Sequence, residues 1–300
     1  MPSAAFAPFP RLRVGDRIAV VAPSSPPPAQ RVAAGLEALR GWGLLPEAFP
    51  SVTATHPTLS GLAGDDRLRA KDVADAWRDP GVRAIWCARG GYGVQRMLDL
   101  LPEGLFVEGE PKPIIGFSDV TPLLHAAMIG SGTQMVHGPS VVNLGELQAD
   151  NLAQVHRLMH EAHAPRTLLT GLTPWVEGVA QGRLLGGNVA LLAASIGTRD
   201  LPESTGSVIL LEDVGQPAFV LDRGLTQLIR SGWLPKASGI LLGDFSMDDD
   251  PARVDAVLRD RLVPLGIPVW SGAPVGHTEV NLALPLGSRV HISGGYLRLA

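Results

Sequence analysis

The chain has 300 residues, 45% of them hydrophobic, with a formal net charge of −4 and a single cysteine, Cys87. That content buries a substantial core, as one large domain or two of ordinary size. The dispersed charge forms no basic stripe and no basic amphipathic helix, which argues against nucleic-acid and membrane-surface partners. One cysteine rules out an intrachain disulfide and fits a reducing compartment. Residues 1–10 lack the basic and apolar regions of a secretory signal, and no apolar run is long enough to cross a bilayer, so a soluble cytoplasmic protein is expected.

In chain order, the apolar run Arg17–Ala22 predicts a strand, ended by Pro23-Ser24-Ser25-Pro26. Val32, Leu36 and Leu39 recur at i, i+4, i+7 and predict a helix. Val82–Cys87 reads as a buried strand broken by Gly90-Gly91, with Cys87 a core residue. Val94, Met97, Leu98 and Leu101 then mark an amphipathic helix. Ile114–Phe117 predicts a strand, Leu123–Ile129 a helix and Gln134–His137 a further strand. Alternation of this kind predicts a parallel sheet covered by helices on both faces.

Between about Asp150 and Glu177 the pattern weakens. His156, His160 and His163 share one helix face there, but no cysteine or carboxylate cluster completes a ligand set, so solvent-exposed linker histidines are expected and no metal or cofactor is. Further on, Val208–Glu212 and Gly239–Gly243 predict strands around a helix carrying Phe219, Leu225 and Leu228. Ile267–Trp270 predicts another strand, and Val290–Ile292 with Tyr296–Leu299 a hairpin around Gly294-Gly295. The domains expected are 1–150, a linker over 151–178, and a mixed β/α domain or barrel over 179–300.

Chemistry concentrates just past strand ends, where open α/β sheets place their ligands. The apolar strand of Pro113–Phe117 runs into Ser118 and then into a helical segment opened by Asp119-Val120-Thr121-Pro122. A serine on such a turn is either a helix cap or an exposed nucleophile beside free backbone N–H groups. The full G-x-S-x-G elbow is absent, since Val120 stands at the second glycine. Arg89-Gly90-Gly91-Tyr92-Gly93 reads as a tight turn, a phosphate cradle or an oxyanion donor beside Ser118; it lacks the lysine of a P-loop and the G-x-G-x-x-G spacing. A nucleophilic serine needs a base, and the base needs an acid. His277, in a glycine-flanked loop after a strand, suits the base better than His137, which is followed by Gly-Pro. Glu212, at the end of a buried strand, is the first choice of acid, with Asp213, Asp244 and Glu279 as rivals.

Taken together and in order, Gly15–Ser25, Ala88–Gly93, Ile115–Asp119, Leu185–Asn188, Leu211–Asp213 and Gly276-His277 resemble the L,D-carboxypeptidases, the serine peptidase group that includes muramoyltetrapeptide carboxypeptidase and the microcin C immunity peptidases. The resemblance implies a triad of Ser118, Glu212 and His277, and an oxyanion hole assigned here to the N–H groups of Gly91 and Asp119. Arg89 and Tyr92 are the expected substrate-binding residues, Arg89 for the substrate carboxylate. It implies an α/β fold, with an N-terminal parallel-sheet, flavodoxin-like domain and a smaller C-terminal swivelling β/α domain, usually as a homodimer. The implied substrate is murein tetrapeptide, cut at its L,D bond to release D-alanine in cytoplasmic cell-wall recycling. Two alternatives stand beside it: a peptidase of microcin C-like peptidyl-nucleotides, and a non-catalytic nucleotide or small-ligand module using Arg89–Gly93.

Overall fold

The computed structural model describes residues 6–161, 164–246 and 249–300, so Met1–Ala5 of the N-terminal segment and His163 lie outside the described residues. The chain divides into two compact units, Ala7–Ala162 and Met1–Phe6 with His163–Ala300. The second is little smaller than the first.

The first unit runs β1 (Arg17–Val21), α1 (Ala29–Gly41), β2 (Leu45–Ala48), α2 (Asp66–Arg78), β3 (Val82–Cys87), α3 (Val94–Leu98), β4 (Ile114–Gly116), α4 (Thr121–Ser131), β5 (Met135–His137), α5 (Val141–Leu144) and α6 (Ala149–His160). Its strands pair in parallel in the order β5-β4-β3-β1-β2. This is the flavodoxin-like order, whose topological switch lies between β1 and β3. Both faces are covered, so Ile18, Val20, Ile85, Trp86, Ile114 and Ile115 are all fully buried. Cys87 joins them, and burial pushes its thiol pKa up, the opposite of what a nucleophilic thiolate needs.

Helix α1 docks through Val32, Gly35 and Leu39 rather than through Leu36. Gly35 is the reason: a Cβ there would lie 2.0 Å from the Val141 carbonyl oxygen, so α5 approaches where α1 has no side chain. Helix α3 stops at Leu98, short of the expected Leu101. Helix α2 begins on an Asp65 cap, whose Oδ1 accepts the Leu68 N–H at 2.7 Å.

The second unit comprises β6 (Arg166–Leu169), β7 (Thr173–Val176), β8 (Ala180–Asn188), α7 (Val189–Ala194), β9 (Val208–Val214), α8 (Ala218–Arg230), β10 (Gly239–Ser246), α9 (Pro251–Leu262), β11 (Val269–Ser271), β12 (Leu284–Leu286), β13 (Arg289–Ser293) and β14 (Tyr296–Leu299). One mixed sheet of eight strands runs β6-β14-β13-β8-β9-β10-β11-β7, an open sheet rather than a barrel. Strands β8 to β11 are mutually parallel, and the flanking pairs, including the β13–β14 hairpin, are antiparallel.

The segment 151–178 is not a linker as expected. Its first part lies in α6, packed in the first unit with Val155, Leu158 and Met159 buried, and its second part forms β6 and β7 of the second sheet. Of the histidines expected to be solvated there, His156 and His160 are not. His156 and His160 stack at 4.0 Å between ring centroids, and Trp42 meets both edge-on, so the pair is half-buried. That burial, and then the His160 ring, lower the His156 pKa.

No helix among the described residues is long and apolar enough to cross a membrane. No group of three or more His, Cys, Asp or Glu among them could hold a metal ion.

Candidate active site

In the first unit, the loops after β1, β3 and β4 leave one edge of the parallel sheet, and three neighbouring strands bring Ser24-Ser25, Arg89–Gly93 and Ser118 together there. Phe117 is extended, and the chain then turns sharply: Ser118 has φ of 63°, a left-handed conformation that a side chain adopts only at a cost. A short 3-10 turn, Ser118–Val120, leads into α4. The N-cap position of α4 is Val120, with no side-chain capping bond, so the serine is not the helix cap. The turn is pinned by Thr121 Oγ1, which donates to the Ser118 carbonyl at 2.8 Å.

Neighbouring glycines make room for Ser118 and for Ser25. A Cβ on Gly90 would lie 2.9 Å from Ser118 Cβ and 3.2 Å from its Oγ; one on Gly91, where φ is 114°, would lie 2.4 Å from Ser25 Oγ. Ser25 donates its N–H to the Gly90 carbonyl at 3.4 Å, and its Oγ accepts the Tyr92 N–H at 3.1 Å. The Arg89–Gly93 segment is therefore a turn packed on both Ser25 and Ser118. Asp119 is buried, and its Oδ2 accepts the Val94 N–H at 2.9 Å, tying the start of α3 to the serine turn. Arg89 is exposed; its Nη1 donates to the Pro26 carbonyl at 3.3 Å, and it forms no ion pair among the described residues. Tyr92 is also exposed. His137 is buried at the end of β5, its ring packed edge-on to Phe117.

In the second unit, β9 ends in adjacent buried carboxylates, Glu212 and Asp213, which alternation sends to opposite faces. Glu212 Oε2 meets His277 Nδ1 at 2.7 Å, with the carboxylate fully buried and the imidazole 18% exposed. Two glycines fit around the acid. A Cβ on Gly276, at φ of 108°, would lie 2.9 Å from Glu212 Oε2, and one on Gly243 would lie 2.5 Å from the Val275 carbonyl oxygen and 3.2 Å from Glu212 Cβ. The hydrogen bond places the imidazole proton on Nδ1 and leaves Nε2 as the basic nitrogen.

The rival acids are engaged elsewhere. Asp213 Oδ1 accepts Asn188 Nδ2 at 3.0 Å and the Val214 N–H at 2.9 Å, and burial pushes its carboxyl up to about 6 against those bonds. Asp244 Oδ2 accepts the Ser246 N–H at 3.2 Å, and Glu279 is exposed.

Some supporting residues have no forecast in the sequence. Asn188 caps α7 by accepting the Leu191 N–H at 3.2 Å and holds Asp213 with its amide. Leu185–Asn188, one of the segments that carry the family resemblance, lies inside β8: a Cβ on Gly186 would stand 2.0 Å from the Leu210 carbonyl oxygen, so the glycine serves close strand approach. Asn281, at φ of 35°, accepts the Gly276 N–H at 2.9 Å and fixes the loop that presents His277. An asparagine four residues past the histidine was the available signal, since Asn tolerates positive φ.

Both units match models of one protein family. Residues 18–138 match the LD-carboxypeptidase N-terminal domain, and residues 181–292 match the LD-carboxypeptidase C-terminal domain. The chain belongs to the LD-carboxypeptidase family. These are serine peptidases, so the coarse class is a hydrolase of the carboxypeptidase type.

A Streptomyces coelicolor relative of this LD-carboxypeptidase-family chain is 45% identical over 92% of it and 90% of its own length. The murein tetrapeptide carboxypeptidase of Pseudomonas aeruginosa is 32% identical over 95% of each chain. Among solved structures, the muramoyltetrapeptide carboxypeptidase of Oxalobacter formigenes superposes with a TM-score of 0.77 at 27% identity, covering 94% of this chain and 97% of its own. The microcin C7 self immunity protein MccF, solved with glutamyl sulfamoyl guanosine, shares the fold at a TM-score of 0.85 and 21% identity, covering 97% and 98%.

Proposed function

We propose that this protein is a serine carboxypeptidase that releases the C-terminal D-alanine of murein tetrapeptide by cutting an L,D amide bond through an acyl-enzyme. The observation that carries the proposal is the buried Glu212 carboxylate on His277 Nδ1 at 2.7 Å, an acid–base pair built to take a proton at Nε2. The strained turn at Ser118, in the other unit, supplies the nucleophile.

Ser118 Oγ attacks the carbonyl of the penultimate residue while His277 Nε2 takes the hydroxyl proton. The oxyanion is received by the N–H groups of Gly91 and Asp119. His277 then gives its proton to the nitrogen of the departing D-alanine, the C–N bond breaks, and an ester to Ser118 remains. Water then gives a proton to His277 Nε2 as it attacks the ester, the bond to Ser118 Oγ breaks, and His277 returns a proton to the serine oxygen. Glu212 stabilises the imidazolium throughout and keeps its own charge. Arg89, exposed and without an ion pair among the described residues, takes the substrate's terminal carboxylate, and Tyr92 lines the same turn. Homodimeric assembly and a cytoplasmic place of action belong to the same proposal.

Relatives named for murein peptides support this substrate over a peptidyl-nucleotide. The ring of Trp175, the candidate aromatic for stacking on a nucleotide base, has the Arg259 guanidinium 4.0 Å over it. Mass spectrometry after incubation with murein tetrapeptide, its all-L analogue and an aminoacyl sulfamoyl-adenylate tests the assignment. Loss of alanine from the tetrapeptide alone is expected; equal cleavage of the all-L peptide, or preference for the adenylate, would contradict it.

A further inference from the structure

Arg69 is a fully buried charge in the first turn of α2, and the chemistry above does not use it. Its Nη1 donates to two carbonyls, that of Pro23 and that of Gly93 at 2.8 Å. Its Nη2 pairs with Asp66 one turn earlier, and Asp66 in turn receives Arg96 through Nε at 3.2 Å and Nη2 at 2.9 Å. Pro23 begins the loop after β1 that carries Ser25; Gly93 closes the turn after β3 that carries Gly90 and Gly91. One nitrogen therefore bridges the two loops that flank the switch point of the sheet.

Between the bridged ends, the loops are joined by the Ser25 N–H on Gly90 and by Ser25 Oγ on the Tyr92 N–H, and Gly90 rests on Ser118. Gly93 is seated on the guanidinium: a Cβ there would lie 2.7 Å from Arg69 Nη1 and 2.5 Å from Leu62 Cδ2. A buried guanidinium is expensive to desolvate, and an apolar side chain would fill the volume at lower cost. What an apolar residue cannot supply is a planar fork that fixes two carbonyls and a carboxylate at set angles, and a lysine supplies only a flexible point charge.

We infer that Arg69 is a positioning residue, which sets where the Gly90–Gly91 turn lies relative to Ser118 and so where the oxyanion donors meet the transition state. The inference rests on the assignment of Ser118 as nucleophile. Donors displaced by a fraction of an ångström still admit substrate but stabilise the developing charge less, so the loss falls on kcat rather than KM.

The test uses the purified full chain and murein tetrapeptide, with kcat and KM for D-alanine release and the melting temperature measured for wild type, Ser118→Ala, Arg69→Lys, Arg69→Met and Asp66→Asn. A kcat loss of about ten- to a hundredfold is expected in both Arg69 variants, greater for Met, with KM within about twofold. Arg69→Lys is expected to stay folded at the assay temperature, so its loss cannot come from unfolded protein. Should Arg69→Met not fold, Arg69→Lys and Asp66→Asn decide: wild-type kcat in both overturns the inference, and lowered kcat at unchanged KM sustains it. Turnover by Ser118→Ala, or none by wild type, removes the hydrolase assignment whatever the Arg69 variants do. An inactive Ser118→Ala beside fully active Arg69 variants removes the positioning role alone.

Discussion

In the first unit, backbone geometry positions the reactive group: Ser118 is turned out by a φ of 63°, and Gly90 leaves the space beside it. In the second unit, side chains do that work: His277 is fixed by a buried carboxylate 2.7 Å away, with its loop held by Asn281. The contrast teaches where each half is vulnerable. Added atoms should damage the serine side, where there is no room for a Cβ. Altered charge should damage the histidine side, where one hydrogen bond sets the tautomer.

The largest effect expected is at the nucleophile. Ser118→Ala should lower kcat/KM by about 10⁴-fold or more, measured as D-alanine release. Its companion Ser118→Gly should be as inactive yet more stable to urea by about 1 kcal/mol, because glycine accepts the left-handed backbone without strain. A Ser118→Gly variant no more stable than wild type would remove backbone strain from the account of the first unit.

Glu212→Gln keeps the shape of the acid and removes its charge, and should cost about 10³-fold in kcat, whereas Asp244→Asn should stay within about threefold of wild type. Similar losses in both would break the assignment of a charge-based second half. Gly90→Ala should lower kcat about 10²-fold through its methyl on Ser118. Gly186→Ala, with a methyl against the Leu210 carbonyl, should instead lower the melting temperature.

Asp213 sharpens the charge side of the contrast through stability. Its folded pKa of about 6 lies above the ordinary carboxyl value, so the folded protein binds this proton more tightly than the unfolded chain does. Stability from this group is greatest below about pH 4 and falls as pH rises through 6, above which the full cost is about 3 kcal/mol. Asp213→Asn should flatten urea-unfolding free energies across that window. An unchanged slope would show that another group carries the titration.

Much of the first unit was legible because its buried strands are short, mostly apolar runs, such as Ile18–Ala22, each ending at or followed within three residues by a glycine or serine. Strand β2 and helix α2 left no such mark. The first is an edge strand interrupted by Pro46 and Glu47, and the second carries buried Arg69 and Asp72 where a periodic reading looks for apolar residues. Glycine was ambiguous in a physical sense: Gly90-Gly91 marks a turn and Gly186 lies within a strand, yet all three are glycines because another chain segment approaches too closely for a Cβ. Glu212 ranks first among the candidate acids by its place at the strand end, but what separates it from neighbouring Asp213 is the partner each meets, His277 for one and Asn188 for the other. The segment 151–178 misled for a related reason: His156 and His160 read as solvated residues, but Trp42, distant in sequence, covers them.

The central claim, that Ser118 is acylated by a substrate whose proton transfers run through His277, is tested most directly by acid-quenching the reaction with murein tetrapeptide in its first turnovers and mapping the adduct by peptide mass spectrometry. The expected result is a tripeptide ester on the peptide containing Ser118, accumulating in wild type and absent from Ser118→Ala and His277→Ala. D-alanine release with no adduct on that peptide, or an adduct on another residue, would contradict it.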